Sequence, residues 1–166
     1  KDGDIVNIDI TVIKDGWHGD TSKMFMVGKP TVKGRRISDI AHECMVRGID
    51  LVRPGTRLGD IGYAIQKYAE SHGCSVVREY CGHGIGKQPH EEPQIPNYLD
   101  GGNPKAGPKI KNGMVFCLEP MICQKESKPV ILENGWDVVS TDGLRGSHYE
   151  HTVAVIGGKA EILSQG

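Results

Sequence analysis

An α+β fold, with two helices among β-strands, is what the sequence predicts, from three patterns. Residues 5–13 alternate apolar and polar side chains, then pass through a turn into a second extended run. Two stretches between residues 37 and 73 repeat apolar residues every three or four positions. From residue 74 onward the chain reads as short extended runs separated by glycine-containing turns. At 166 residues the chain fits one domain with a substantial core.

Within the first run Val6, Ile8, Ile10 and Val12 face one way, and Asn7, Asp9 and Thr11 the other. Lys14-Asp15-Gly16 supplies a turn, and Trp17 to Val27 returns as the second strand. A two-residue turn at 14–15 or 15–16 makes the summed numbers of same-face partners odd. Asp9 and Asp20 satisfy that parity, which predicts both carboxylates on one face, opposite or diagonal. The first helix carries Ile37, Ile40, Ala41, Cys44, Met45, Gly48, Leu51 and Val52, and ends at Pro54-Gly55. Thr56 is positioned to cap a second helix bearing Leu58, Ile61, Ile65, Tyr68 and Ala69, stopped at Gly73. A strand over Cys74–Tyr80 then leads into Cys81-Gly82-His83-Gly84-Ile85-Gly86, and a polar Pro/Gly-rich loop runs from about 93 to 113. Strands are expected near 114–123, 129–133, 136–140, 148–156 and 160–163, with turns at Asn134-Gly135, Asp142-Gly143 and Gly157-Gly158.

A net charge of −1, with Lys and Arg dispersed, gives no electrostatic case for nucleic acid or an anionic membrane. The five cysteines form no Cys-x-x-Cys pair, and four lie among apolar neighbours; reduced, buried thiols in a cytoplasmic protein are the simplest reading. Neither a signal-peptide pattern nor an 18-residue apolar stretch is present. The chain enters a strand pattern directly after Lys1-Asp2-Gly3-Asp4, with no initiator Met, so it reads as the middle of a longer protein, truncated at its N-terminal side.

The chemistry is carried by acids in places that deplete acids. Asp9 lies in Ile-Val-Asn-Ile-Asp-Ile-Thr-Val-Ile, Glu119 in Met-Val-Phe-Cys-Leu-Glu-Pro-Met-Ile, and Glu150 opens Glu-His-Thr-Val-Ala-Val-Ile. Singly, each has an ordinary reading. Asp9 could be a hydrogen-bonded strand residue, Asp20 a turn cap, His83 a core histidine, and Glu150 the partner of a neighbouring histidine. Glycines 82, 84 and 86 around His83 would permit close approach of a ligand. Pro120 after Glu119 marks a strand edge or bulge that can aim a side chain at a site. Together, Asp9, Asp20, His83, Glu119 and Glu150 form one candidate metal set. Four carboxylates contribute about −4, which two divalent ions balance at about +4. Five donors are too few for two closed cages, so at least two acids must bridge and positions stay open for water, as in a catalytic site. Oxygen donors with one imidazole suit Mn, Fe, Co or Zn better than copper.

These residues also carry a family resemblance. Asp-Ile-Thr-Val-Ile-Lys-Asp-Gly-Trp-His-Gly-Asp-Thr-Ser-Lys-Met-Phe, Tyr-Cys-Gly-His-Gly-Ile-Gly, His-Glu-Glu-Pro, Leu-Glu-Pro-Met and Tyr-Glu-His-Thr, in that order, resemble the type I bacterial methionine aminopeptidases over essentially the whole chain. The resemblance implies a pita-bread fold, a curved antiparallel sheet flanked by helices, with residues 1–166 a single catalytic domain lacking the family's N-terminal segment. It implies a metalloprotease (a hydrolase) that excises N-terminal methionine from peptides and nascent proteins during their maturation. The dinuclear centre would activate a hydroxide for the attack. Asp9 would chelate one ion, Asp20 and Glu150 bridge both, and His83 and Glu119 hold the other. Glu119 would also shuttle the proton, His90 would contact the substrate's peptide group, and Trp136 would line the methionine pocket. Expected partners are peptide N-termini, with room for ribosome association, no membrane, no nucleic-acid recognition, and a monomeric state. One departure from the family stands at Gln88-Pro89, where an aromatic residue ordinarily precedes the second histidine. The competing readings are an Xaa-Pro aminopeptidase or prolidase of the same fold, and a non-catalytic binding module.

Overall fold

The computed structural model describes residues 1–165 apart from 100, 102, 104, 105, 126 and 127. Alternation and turn chemistry act together at the start of the chain. β1 (Ile5–Lys14) and β2 (Trp17–Met26) pair along their full lengths through a two-residue turn. Asp15 and Gly16 both take positive φ there, 51° and 79°, as a turn matching the strand twist demands. The register sets Asp9 against Ser22 and Thr11 against Asp20, so the two carboxylates are diagonal on one face, as parity predicts.

α1 (Val32–Asp50) starts earlier than its apolar stripe, because the Thr31 hydroxyl accepts from the Gly34 N–H at 3.0 Å and caps it. α2 (Leu58–Ser71) is capped one residue later than expected: Arg57, not Thr56, is the N-cap, and Asp60 Oδ2 accepts from the Arg57 N–H at 2.8 Å. Thr56 instead receives the Ile110 N–H on its carbonyl at 2.8 Å, tying the helix start to the following loop. Gly73, at φ 69°, ends the helix as read.

The expected strand over Cys74–Tyr80 shrinks to β3 (Ser75–Val76), since residues 78–80 turn out to solvent. β4 (Gly82–Gly84) follows, and β5 (Glu91–Ile95) forms partly inside the predicted loop, whose residues 100, 102, 104 and 105 lie outside the described set. The single run expected over 114–123 is split into β6 (Val115–Leu118) and β7 (Met121–Cys123) around Glu119-Pro120, where proline cannot donate to a ladder. β8 (Pro129–Ile131), β9 (Val138–Ser140), β10 (Gly146–His148), β11 (Glu150–Ile156) and β12 (Lys159–Ile162) complete the order.

The main sheet runs β1-β2-β11-β6-β4-β5, with β12 also on β11, all antiparallel. It curls into the half-barrel of the pita-bread fold, with the two helices beside it. Ile37, Met45, Leu58, Ile61 and Ile65 from the helices bury against Phe116, Leu118, Ile122, Val153 and Val155. Gly48 lets α1 come in close: a Cβ there would lie 2.9 Å from Leu118 Cδ2. Val6, Ile8, Ile10 and Val12 on the hairpin stay 42%, 45%, 49% and 57% exposed, so alternation located their face but not a cover for it.

Candidate metal centre

Register alone assembles the site. Asp9 on β1 faces Ser22 on β2, and Ser22 faces Glu150 on β11. The β11–β6 pairing, His151 with Leu118, extends by one step to set Glu119 beside Glu150. One pleat along, Thr11 faces Asp20, and the same registers carry the row to Thr152, Cys117 and His83. Two adjacent rows on one face of the sheet therefore hold all five predicted donors. They line a cavity of about 760 Å³ together with His90, Tyr80 and Met121.

The carboxylates differ in setting. The Asp9 side chain is 48% exposed, whereas Glu119 and Glu150 are 8% and 2% exposed as residues. Burial first, and the other acids second, raise the Glu119 carboxyl to about 9 and the Glu150 carboxyl to about 8. The same causes raise Asp9. Asp20 is better served: Thr11 Oγ1 donates to its Oδ2 at 2.8 Å and the Thr21 N–H to its Oδ1 at 3.0 Å. Its backbone is clamped by Thr152, whose hydroxyl accepts from the Asp20 N–H at 3.0 Å and donates to its carbonyl at 2.8 Å. Asn97 Nδ2 donates to the Glu119 carbonyl at 3.2 Å and fixes the break between β6 and β7.

His83 Nε2 lies 3.3 Å from Glu119 Oε1, while its Nδ1 meets the Gly84 carbonyl at 3.0 Å. With the proton on Nδ1 the Nε2 lone pair faces the acids, and burial lowers the ring's pKa, keeping it neutral. The glycines beside it serve a purpose different from the one expected. A Cβ at Gly82 would collide with the Cys117 carbonyl oxygen and one at Gly84 with the Glu92 carbonyl oxygen, so they admit neighbouring strands rather than a ligand.

His90 stands beside His83, ring centroids 4.2 Å apart, at the cavity wall. Trp136 is not brought to the cluster. It sits 86% exposed in the turn between β8 and β9, where the Asn134 side chain takes up the Trp136 and Asp137 N–H groups. The pocket role expected for it has no support in this geometry. An apolar cavity of about 470 Å³ adjoins the acidic one and shares Tyr80 and Met121 with it.

One residue at the site went unread in the sequence. His148 lies 3.6 Å from Asp9 Oδ2 through Nδ1 and 3.7 Å from Glu119 Oε2 through Nε2. Its spacing two before Glu150 was the available signal. His151, the other histidine beside Glu150, turns away to Ser164 Oγ at 2.9 Å.

The donor set suits divalent metal. Glu150 Oε1 and His148 Nε2 are buried with no hydrogen-bond partner, and buried acids without a cation are costly. One ligand atom from each of Asp20, His83, Cys117 and Glu150 falls within 4.8 Å of the others, as does one from each of Asp9, His148 and Glu150. Cys117 is the least suited of these: burial pushes its thiol far above the usual range.

Residues 1–156 match metallopeptidase family M24. The methionine aminopeptidase of Salmonella typhimurium is 52% identical over 165 residues, which are 99% of this chain and 61% of that protein. The chain thus spans about three fifths of the length of that relative. The crystal structure of methionine aminopeptidase from Rickettsia prowazekii superimposes with a TM-score of 0.95 at 46% identity, covering 99% of this chain and 66% of that one. The prolidase from Pyrococcus furiosus superimposes with a TM-score of 0.76 at 25% identity, covering all of this chain and 42% of that one.

Proposed function

The chain belongs to metallopeptidase family M24, and from that premise we propose that the protein removes the N-terminal methionine from peptides and nascent proteins by metal-dependent hydrolysis. The observation that carries the reading is the pair of adjacent rows that gathers five donors from four strands and the β6–β7 junction onto one sheet face. Residues 1–166 act as one catalytic domain in it. Asp9 would hold one ion, Asp20 and Glu150 both, and His83 and Glu119 the other. Two divalent ions match the four carboxylates in charge, and the mixed oxygen and imidazole donors favour Co, Mn, Fe or Zn.

When bound, the ions supply Lewis acidity, making a water acidic and a peptide carbonyl electrophilic. The chain's own residues do the rest. The Glu119 carboxylate, set beside Glu150 on the same sheet face, would take a proton from the attacking water and deliver it to the leaving amine. His90, at the open side of the cavity, would hold the scissile peptide group. The adjoining apolar cavity offers surface for an uncharged side chain.

Methionine removal is favoured over Xaa-Pro cleavage because the relatives named methionine aminopeptidase are nearer than the prolidase in both sequence and superposition. A non-catalytic module of this fold would have no need of five converging donors. We place the protein in the cytoplasm, on the strength of the buried thiols of Cys44, Cys74 and Cys117. No helix among the described residues is long and apolar enough to cross a membrane.

The test is cleavage of Met-Ala-Ser against an Xaa-Pro peptide by the whole protein, with and without chelation. Met-Ala-Ser should turn over faster, cease on chelation and resume on metal addition. Asp9→Asn and Glu150→Gln should each lose at least about a thousandfold in kcat/KM, about 4 kcal/mol of barrier. Near-unaltered turnover by either variant would sink the site, and faster Xaa-Pro cleavage would sink the substrate.

A further inference from the structure

On the two-ion reading above, on which this step rests, we propose that His148 is a sixth protein ligand of the centre, its Nε2 joining Asp9 and Glu150 around one ion. His148 ends β10, next to the strand that Glu150 opens. Its ring is buried between the acids, with a side-chain exposure of 14%, and its Nε2 has no hydrogen-bond partner. A core histidine placed only for packing would satisfy that nitrogen. Two ligand atoms on one ion, each about 2.0–2.2 Å from it, stand about 3–4 Å apart. One ligand atom from each of Asp9, His148 and Glu150 already lies within 4.8 Å of the others.

The ring's orientation is built in. Its Nδ1 is 3.2 Å from Ser22 Oγ, and that oxygen accepts from Asn7 Nδ2 at 2.8 Å. Asn7 Nδ2 also donates to the His148 carbonyl at 2.9 Å, so one amide braces both the backbone and the ring's partner. The Ser22 hydroxyl has a lone pair for each donor, which allows the proton on Nδ1 and leaves the Nε2 lone pair toward the acids. His83 shows the same plan on the other side of Glu119: Nδ1 on a fixed oxygen, Nε2 toward the carboxylate. Glu119 is thus bracketed by two imidazoles, one near each oxygen. A neutral imidazole leaves the charge balance untouched and makes the Asp9 side of the centre a mixed nitrogen and oxygen site. That shifts its preference from Mn toward Fe, Co or Zn.

The experiment is Co(II) binding by the whole protein, read by calorimetry, visible absorption and proton NMR. The unaltered protein should bind two ions and show two solvent-exchangeable, paramagnetically shifted imidazole N–H signals. His148→Gln should weaken one ion about 10–100-fold, spare the other, change the visible band and remove one N–H signal. Ser22→Ala, which keeps the ring but loosens it, should weaken the same ion by less. A single imidazole signal in the unaltered protein would overturn the proposal without any variant, even if His148→Gln failed to fold. Unchanged affinities and spectrum in a folded His148→Gln would overturn it too, and leave the five-donor reading standing. Failure of the unaltered protein to bind Co(II) at all would overturn both.

Discussion

The back of the main sheet carries apolar side chains on β1 as it does on β6 and β11, yet only the latter are covered. Phe116, Leu118, Val153 and Val155 lie in the core with the helices, while Val6, Ile8, Ile10 and Val12 remain open. The front of the sheet follows suit. Glu119 and Glu150, in front of the covered strands, are buried; Asp9, at the bare end, is about half exposed. One site is thus held from two kinds of ground. Its Glu119 and Glu150 side is set by a packed core, and its Asp9 edge by a hairpin joined to the rest of the sheet through the pairing of β2 with β11 and through Asn7, which donates to the His148 carbonyl. Side-chain alternation tells which face a residue takes, and packing against a second layer decides whether that face becomes interior.

The largest effect expected from this contrast is at Leu118. Leu118→Ala should destabilise the protein by about 2–5 kcal/mol in urea unfolding, through lost burial and a cavity beneath α1 and α2. The cost should fall on stability, with the metal donors left in place.

Next comes pH. Without metal, the raised carboxyls of Glu119 and Glu150 hold protons in the folded state that the unfolded chain has released. Stability they contribute is therefore lost as pH rises toward 8 and 9. His148 acts in the opposite sense, its neutral form favoured by burial, but only below its ordinary 6.5. Metal-stripped protein should therefore melt several degrees lower at about pH 8 than at pH 6.5, a range above the His148 titration and below the ordinary thiol range. Glu150→Gln should flatten that slope and Asp9→Asn should leave most of it. Equal flattening by both would break the distinction between the buried and the half-exposed acid.

The smallest effect belongs to the bare end. Ile10→Ala should cost less than about 1 kcal/mol by the same urea measurement. A loss as large as that of Leu118→Ala would show this face covered in the whole protein and erase the contrast.

Much of this was legible beforehand, for local reasons. The hairpin announced itself by alternation around Asp15-Gly16, and a parity rule then placed Asp9 and Asp20 without any knowledge of the rest. The helices followed from their stripes and the stop at Gly73. Long-range pairing was not legible. β5 forms over Glu91–Ile95 because it can join β4, a fact no local pattern in Glu-Glu-Pro-Gln-Ile reveals. Gly82 and Gly84 read as room for a ligand, and only the positions of Cys117 and Glu92 show what they make room for. His148 stayed hidden because its importance depends on Asp9, far away in sequence, and Trp136 drew notice as an aromatic although its turn holds it in solvent.

β11 slots between β2 and β6, so the β1–β2 hairpin meets its partner strand only after the whole stretch from α1 to β10 has been made. The contact from Asn7 to His148 spans 141 residues, and that from Thr152 to Asp20 spans 132. Such distant closures are slow, because the entropy of a long loop is lost before its contacts form. A nascent chain therefore has its donors in two separate pairs, Asp9 with Asp20 on the hairpin and His83 with Glu119 at β4 and β6, until β11 emerges. Metal uptake then becomes a late checkpoint: an ion tight enough to stay bound reports a chain that has finished folding, and a chain arrested before β11 has no complete site to load.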